Sequence, residues 1–300
     1  MKTLRDIQIV THCVSDLELE ISTWSGLLDY RLCERGTLSE ELCAVWGTAA
    51  EAGRDYALMA PASGAPVYMR FVATGERPGY WPPVTWGWNA TEILVTDPDA
   101  LAERLEGSAI RRFGGPADLY AQPKAPRAVQ SLGPSGAMLY FTRILPGGSR
   151  YGLHGAKSFV DRVFNVVLGG PSLEELRVFY AEQMGLRVGE PLQFTMTLAA
   201  QACEAPPDTL FPICVAPLRA RHSILELDEY PENSSPRPRA AQQLPGGMSM
   251  VSFRTGALDN VAVPLRAPAA AIAGLPYDGR RVAVAEGPAG EWLELIETPD

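Results

Sequence analysis

One local pattern recurs along this chain: an apolar strand, a helix-capping residue, then an amphipathic helix. A repeat of this kind constrains a fold more tightly than any bulk property. The first copy is IVTHCVSDLELEISTWSGLLDYRL. There Leu17, Ile21, Trp24 and Leu28 follow Asp16 at helical steps and mark one apolar face. The second is TEILVTDPDALAERLEG, with Asp97 as N-cap, Pro98 at the first helical position and Gly107 as the stop. The third is FNVVLGGPSLEELRVFYAEQMGL, where Ser172 and Glu175 form a capping box and Gly185 ends the helix. A fourth copy, MSMVSFRTGALDNVAVPLRA, has its helix cut short by Pro264. The markers Asp16, Asp97, Ser172 and Asp259 stand roughly 75 to 87 residues apart.

The copies also end alike. PASGAPVYMRF, GPSGAMLYFTRI and GPAGEWLELIE each carry a small-residue turn closing on Gly, then a strand. The third copy ends in RHSILELDEYP instead. Each unit reads as strand, helix and about three further strands.

Four such units resemble the vicinal oxygen chelate superfamily, which includes glyoxalase I, extradiol dioxygenases, methylmalonyl-CoA epimerase and bleomycin-resistance proteins. VSDLELEISTWSGLLDYRL, SLEELRVFYAEQMGLRV, GAMLYF and GEWLELIE carry the likeness, which spans nearly the whole chain. It implies an α+β fold of four βαβββ modules paired into two domains, each a cupped mixed sheet with helices on its outer face. The expected domains are residues 1–148 (modules 1–78 and 85–145) and 156–300 (modules 158–232 and 246–300). The Gly-rich stretch 145–158 is read as the boundary between them, and 232–246 as the junction of the last two modules.

Bulk properties narrow the partners. Three hundred residues, 46% apolar and 20% charged, suit about two soluble domains. A net charge of −9 gains nothing from phosphate counterion release, so nucleic acid is not an expected partner. MKTLRDIQIV lacks the apolar stretch of a signal peptide, and no 18-residue apolar run predicts a membrane span. Five cysteines without a C-x-x-C fit reduced thiols in a cytoplasm. GGPSLEE is not a P-loop, no G-x-G-x-x-G stands in a Rossmann setting, and no G-x-S-x-G occurs.

In metal-dependent members of the superfamily, first strands supply His and last strands supply Glu at the cup floor. The resemblance puts the first-strand positions, about seven residues before the cap, at Ile9, Ala90, Arg162 and Met250. It puts the last-strand positions at Tyr68, Tyr140, Glu226 and Glu294. The N-terminal cup then has no chelator, and the C-terminal cup keeps Glu226 and Glu294 faced by Arg162. Strand alternation turns His12 away from Ile9, Thr11 and Cys13, toward the helices, as a core residue. His222 shares parity with Ile224 and Glu226. It is either a substrate contact at the cup mouth or a surface residue beside Arg219 and Arg221. At about 13 Å along the strand it is too far from Glu226 to share a metal. His154, in the linker, is read as solvated.

The expected activity is a metal-independent lyase, isomerase or epimerase acting on a small apolar or aromatic metabolite. Glu226 and Glu294 serve as acid and base and Arg162 as an electrostatic clamp, against the bland reading of an internal ion-pair cluster. His222, Met250, Tyr68, Tyr140 and Trp88 are the candidate substrate contacts, with GYWPPVTWGWNA supplying aromatics to the N-terminal cup or its interface. No cofactor is expected. A carboxylate-held Mg or Mn on Glu226 and Glu294 is the alternative. Two other readings stand beside it: a non-catalytic sequestering protein of the bleomycin-resistance type, and a metal-dependent glyoxalase or dioxygenase with displaced ligands. The partner is a small molecule, and a homodimer is compatible with all three readings.

Overall fold

The computed structural model describes residues 4–220 and 222–298; Arg221 lies outside them. Three of the four helix-start markers form caps, while Asp259 lies inside a 3-10 turn whose N-cap is Ala257. Asp16 accepts from the Leu19 amide at the head of α1 (Leu17–Leu27), which follows β1 (Asp6–Val14). Asp97 accepts from the Asp99 and Ala100 amides at α3 (Pro98–Arg104), and Ser172 from the Glu175 amide at α4 (Leu173–Val178). The helix after Ser172 continues as a π-turn over Phe179–Gln183, and Gly185 follows at φ 70°. Before Pro264 the fourth copy makes only a 3-10 turn, Leu258–Asn260.

Module one adds β2 (Arg31–Thr37), α2 (Glu40–Trp46), β3 (Asp55–Ala60) and β4 (Tyr68–Ala73). Module two has β5 (Gly87–Val95), β6 (Arg111–Asp118), β7 (Arg127–Leu132) and β8 (Met138–Arg143) around α3. Module three has β9 (Val160–Gly170), β10 (Leu192–Thr195), α5 (Thr197–Ala202), β11 (Leu210–Pro217) and β12 (Ile224–Glu229) around α4. Module four has β13 (Met248–Thr255), β14 (Ala270–Ala271), β15 (Arg281–Glu286) and β16 (Trp292–Glu297).

These strands build two eight-stranded mixed sheets, ordered β14-β15-β16-β13-β1-β4-β3-β2 and β10-β11-β12-β9-β5-β8-β7-β6. Module one therefore pairs with module four, and module two with module three. This corrects the expected halves 1–148 and 156–300. The glycine-rich stretch 145–158 joins two modules of one sheet. The chain changes sheets at 74–86 and again at 231–247. Those two crossovers run together: Thr85 bridges Ser235, and the Trp86 indole donates to Ser234 Oγ at 2.8 Å. Buried Arg237 ties them down, donating to the carbonyls of Gly246, Met248 and Trp88 and to Asn89 Oδ1.

One apolar core fills the space between the sheets. Leu17 and Trp24 of α1, Leu101 of α3 and Leu173 and Leu176 of α4 pack there with Phe71, Phe253, Trp88 and Phe141. These helices pack on the sheet faces opposite the cups. Two others do not: α2 enters the cup of the first sheet with Leu42 and Trp46, and α5 covers the cup of the second with Leu198. A cup side chain needs an apolar cover or a ligand, and α2 and α5 are built-in covers.

Cross-pairing makes each half of the chain an incomplete protein. Residues 1–148 alone would expose β1 and β5 as long apolar edges. Expressed alone, they are expected to show no cooperative thermal melt by circular dichroism, and co-expression with residues 149–300 to restore one. A cooperative melt of the isolated half would contradict the pairing.

Candidate functional site

Strand register defines which positions are equivalent. In the first sheet, Ile9 pairs Tyr68 and Thr11 pairs Arg70, while Met250 pairs Trp292 and Ser252 pairs Glu294. Arg70 and Glu294 are thus pseudo-two-fold mates on the cup floor, both essentially unexposed. Arg70 donates to Thr11 Oγ1 at 3.0 Å, to the Tyr277 hydroxyl at 2.5 Å and to Glu294 Oε2 at 3.1 Å. Glu294 also accepts from the Trp46 indole at 2.6 Å, the Tyr277 hydroxyl at 2.7 Å and the Ser252 hydroxyl. The guanidinium lies 4.7 Å from the centroid of the Trp46 ring. Burial works against the Arg70 charge, but Tyr277 and Glu294 outweigh it and hold its pKa above the ordinary arginine value. This cup is plugged by a satisfied ion pair under α2.

The second cup differs. Its floor carries Glu92 on β5, Asn165 on β9 and Glu226 on β12. Asn165 Nδ2 donates to Glu92 Oε2 at 2.9 Å and to Glu226 Oε2 at 3.2 Å. Glu92 also accepts from the Thr142 hydroxyl. A cavity of about 60 Å³ opens above, lined by Glu226, Asp228, Gln130, Phe113, Tyr140 and Tyr230 and roofed by Phe194 to Ala199 of β10 and α5. Glycine at 169 lets Tyr230 lie flat on β9, since a Cβ there would stand 2.3 Å from the ring. Burial first, then the neighbouring Glu92 charge, pushes Glu226 up to about 7, and the Asn165 hydrogen bond only partly offsets this. Burial, then Glu226, holds Asp228 well above the usual carboxylate range. Burial likewise raises Glu92 against its hydrogen bonds from Thr142 and Asn165.

The sequence-derived triad does not assemble. Glu226 and Glu294 lie in different sheets because the modules cross-pair. Arg162 meets neither: its guanidinium donates to the Val163 carbonyl at 3.3 Å and feels Asp161, Asp6 and Tyr30. Seven residues before Ser172 stands Asn165, and register confirms Asn165 as the mate of Ala90, since Ala90 pairs Met138 and Asn165 pairs Ile224. Arg162 lies three residues too early. In module one the loop before β4 is longer, so the mate of Glu294 is Arg70 and not Tyr68, which matches Trp292.

Of the predicted contacts, Tyr140 lines the second cavity and packs edge-on against Phe113 at 6.3 Å. Met250 is sealed in the first cup, and Tyr68 packs half-buried at its edge. Trp88 sits between the sheets, donating to the Trp292 carbonyl at 2.7 Å, so it joins the domains and does not face a ligand. His222 is exposed, its ring 5.8 Å from that of His154. His12 does turn toward the helices, beside Glu20 and Trp24, and burial, with Arg237, lowers its pKa to about 3. Glu92, Asn165 and Asp228 were missed. Their signal was strand parity: Glu92 is two residues beyond Ala90, and Asp228 two beyond Glu226.

The donors do not fit a superfamily metal. A fixed guanidinium faces Glu294 in the first cup, and an amide N–H group points at both glutamates in the second. Among the described residues, no three His, Cys, Asp or Glu side chains gather to hold a metal ion.

Comparison with solved structures agrees with the fold. The chain is similar to glyoxalase I from Zea mays at TM-score 0.64 and 12% identity, covering 98% of this chain and 92% of that one. A single-site mutant of that enzyme gives TM-score 0.66 at 13% identity, with 98% and 94% covered. A proposed dioxygenase from Bacillus subtilis gives 0.64 at 11%, with 100% and 87% covered. No family model matches the chain, and no curated protein matches it in sequence. The protein thus shares the two-sheet, four-module fold of these glyoxalase I and dioxygenase structures.

Removing one partner of a buried ion pair strands the other charge. Arg70→Met is expected to lower stability by about 3–5 kcal/mol in urea unfolding. Adding Glu294→Leu should recover most of that loss. The second cup predicts a pH effect. A carboxyl raised from 4.5 to about 7 in the fold binds its proton longer than the unfolded chain does. Its contribution is therefore full below pH 4.5 and is lost as pH rises through 7. Relative to wild type, Glu226→Gln should gain about 1–3 kcal/mol between pH 5 and pH 8.

Proposed function

We propose that the second cup is the working site and that it moves protons on a small, largely apolar molecule, as a lyase, isomerase or epimerase without a metal. The observation that carries this is Glu226: a carboxyl raised to about 7 on the floor of a cavity walled by aromatic and aliphatic side chains. A base poised near neutral pH gives the best product of ionised fraction and basicity. Asp228, on the same strand face and raised well above the usual carboxylate range by burial and then by Glu226, is the complementary acid. In an isomerisation, ionised Glu226 takes a proton from a carbon acid and Asp228 delivers one to the other end of the delocalised anion. The proton then passes from Glu226 back to Asp228, with no net oxidation. Arg162 has no part in this, and Glu294 serves the stability of the other cup.

A second reading, sequestration without chemistry, draws support from the apolar roof of Met196, Leu198 and Ala199 over the cavity. Both readings take a small molecule as the partner. Both fit a reducing cytoplasm, since the five cysteines are unpaired. No helix among the described residues is long and apolar enough to cross a membrane. A homodimer suits either reading, but neither needs one, because each sheet closes within one chain.

Solvent-exchange NMR separates the two. A metabolite panel incubated with protein in deuterated buffer should show incorporation at one C–H position. The rate should rise with pH through about 7, as Glu226 ionises. Glu226→Gln should cut it by about 100-fold or more, and chelator treatment should leave it unchanged. A ligand recovered without exchange would favour sequestration. Loss of activity with chelator would overturn the metal-free assignment.

A further inference from the structure

Charge in the second cavity is one-sided. Glu226 and Asp228 line it and Glu92 lies directly behind, yet among the described residues no Lys, Arg or His lines it. The titratable groups that feel the two carboxyls from neighbouring elements are Glu92 on β5, Tyr140 on β8, Tyr151 in the 145–158 segment, Cys214 on β11 and Tyr230 after β12. None of them is a cation. The contrast is inside the same chain: in the first cup the equivalent carboxylate, Glu294, has Arg70 at 3.1 Å.

Asp228 supplies an independent observation. It is only 3% exposed, lines the cavity, and its Oδ1 has no hydrogen-bond partner. A buried acceptor left without a donor is costly unless something that enters the cavity satisfies it. The rings of Phe113, Tyr140, Phe194 and Tyr230 line the same cavity. Aromatic faces attract a cation and repel an anion.

We propose that the ligand of this cup is an organic amine bound as its ammonium, with its N–H groups on Glu226 and Asp228 and an apolar or aromatic body against the ring walls. The inference rests on the second cup being the working site and names the class of molecule it takes. An ammonium would do in this cup what Arg70 does permanently in the other: neutralise a buried carboxylate and fill its acceptors. A carboxylate or phosphate ester would instead add charge of the same sign to a site without a counter-ion, which is the strongest form of exclusion.

Three single-ring probes of matched size test this by titration calorimetry: benzylamine, benzyl alcohol and benzoate. Benzylamine is expected to bind, benzyl alcohol at least about 10-fold more weakly, and benzoate not measurably, on the scale of one charge-assisted hydrogen bond. Benzylamine affinity should rise from pH 6 to pH 8 as Glu226 ionises, a measurement that needs no variant. Asp228→Asn and Glu226→Gln should each weaken it by about 10-fold or more, with a cooperative melt showing each variant folded. Benzyl alcohol or benzoate binding as tightly as the amine, affinity that does not change with pH, or no benzylamine binding at millimolar concentration would each overturn the proposal. An amine that binds but never exchanges or reacts would leave this inference standing and remove the catalytic reading. Turnover of a neutral molecule with no amine preference would do the reverse.

Discussion

The antiparallel pairing of first strands across module boundaries, β1 with β13 and β5 with β9, is the constraint on which the rest depends. It closes each sheet at its centre, and so decides which side chains share a cup. Asp6 meets Arg254 and Val10 meets Val251 across one seam; Glu92 meets Asn165 and Thr91 meets Val166 across the other. Were the modules paired in sequence order, Arg70 would face module two and Glu226 would face Glu294. The observed pairing instead gives one cup a matched ion pair and leaves the other with carboxyls alone.

The two cups show opposite uses of buried charge. In the first, every polar tip of Glu294 is met by Arg70, Tyr277, Trp46 or Ser252, and the network sits under α2 with the apolar cluster of Leu42, Cys43, Ile9 and Trp292 around it. Desolvation there is offset by pairing and hydrogen bonds, which makes the cup rigid and chemically quiet. In the second, Asn165 is shared between two glutamates and Asp228 keeps an empty acceptor. Such a site is less stable than a sealed one, and natural chains retain that kind of local conflict where a ligand resolves it.

Much of the fold was legible because its signals are local. Asp16, Asp97 and Ser172 cap helices in the structure as their sequence context predicts, and the fourth copy makes only the 3-10 turn Leu258–Asn260 ahead of Pro264. The orientation of His12 followed from period-two alternation alone. The site was less legible. Arg70, inside YMRF, reads as a strand residue of no special kind until Glu294 is known to lie across the cup. Glu92, inside TEILV, and Asp228, inside ELDE, share parity with positions that were recognised, but parity gives a face and not a neighbour. Arg162 stands ten residues before Ser172 and not seven, so Asn165, not Arg162, reaches the cup floor between Glu92 and Glu226. Trp88 looked like a pocket wall because aromatics often are. It is the joint between the sheets, because the crossover just before it brings β5 against β13.

By itself the sequence determined the repeated strand–helix modules and their caps and turns, since each of these depends on residues a few positions apart. Only the tertiary structure decided that module one joins module four, that Glu294 belongs to Arg70, and that Glu226 stands with Glu92 and Asp228. The modules carry similar edges and similar apolar faces, so no short-range pattern prefers one partner over another. The choice is made by contacts between residues more than a hundred positions apart, which exist only once both sheets have closed around their common core.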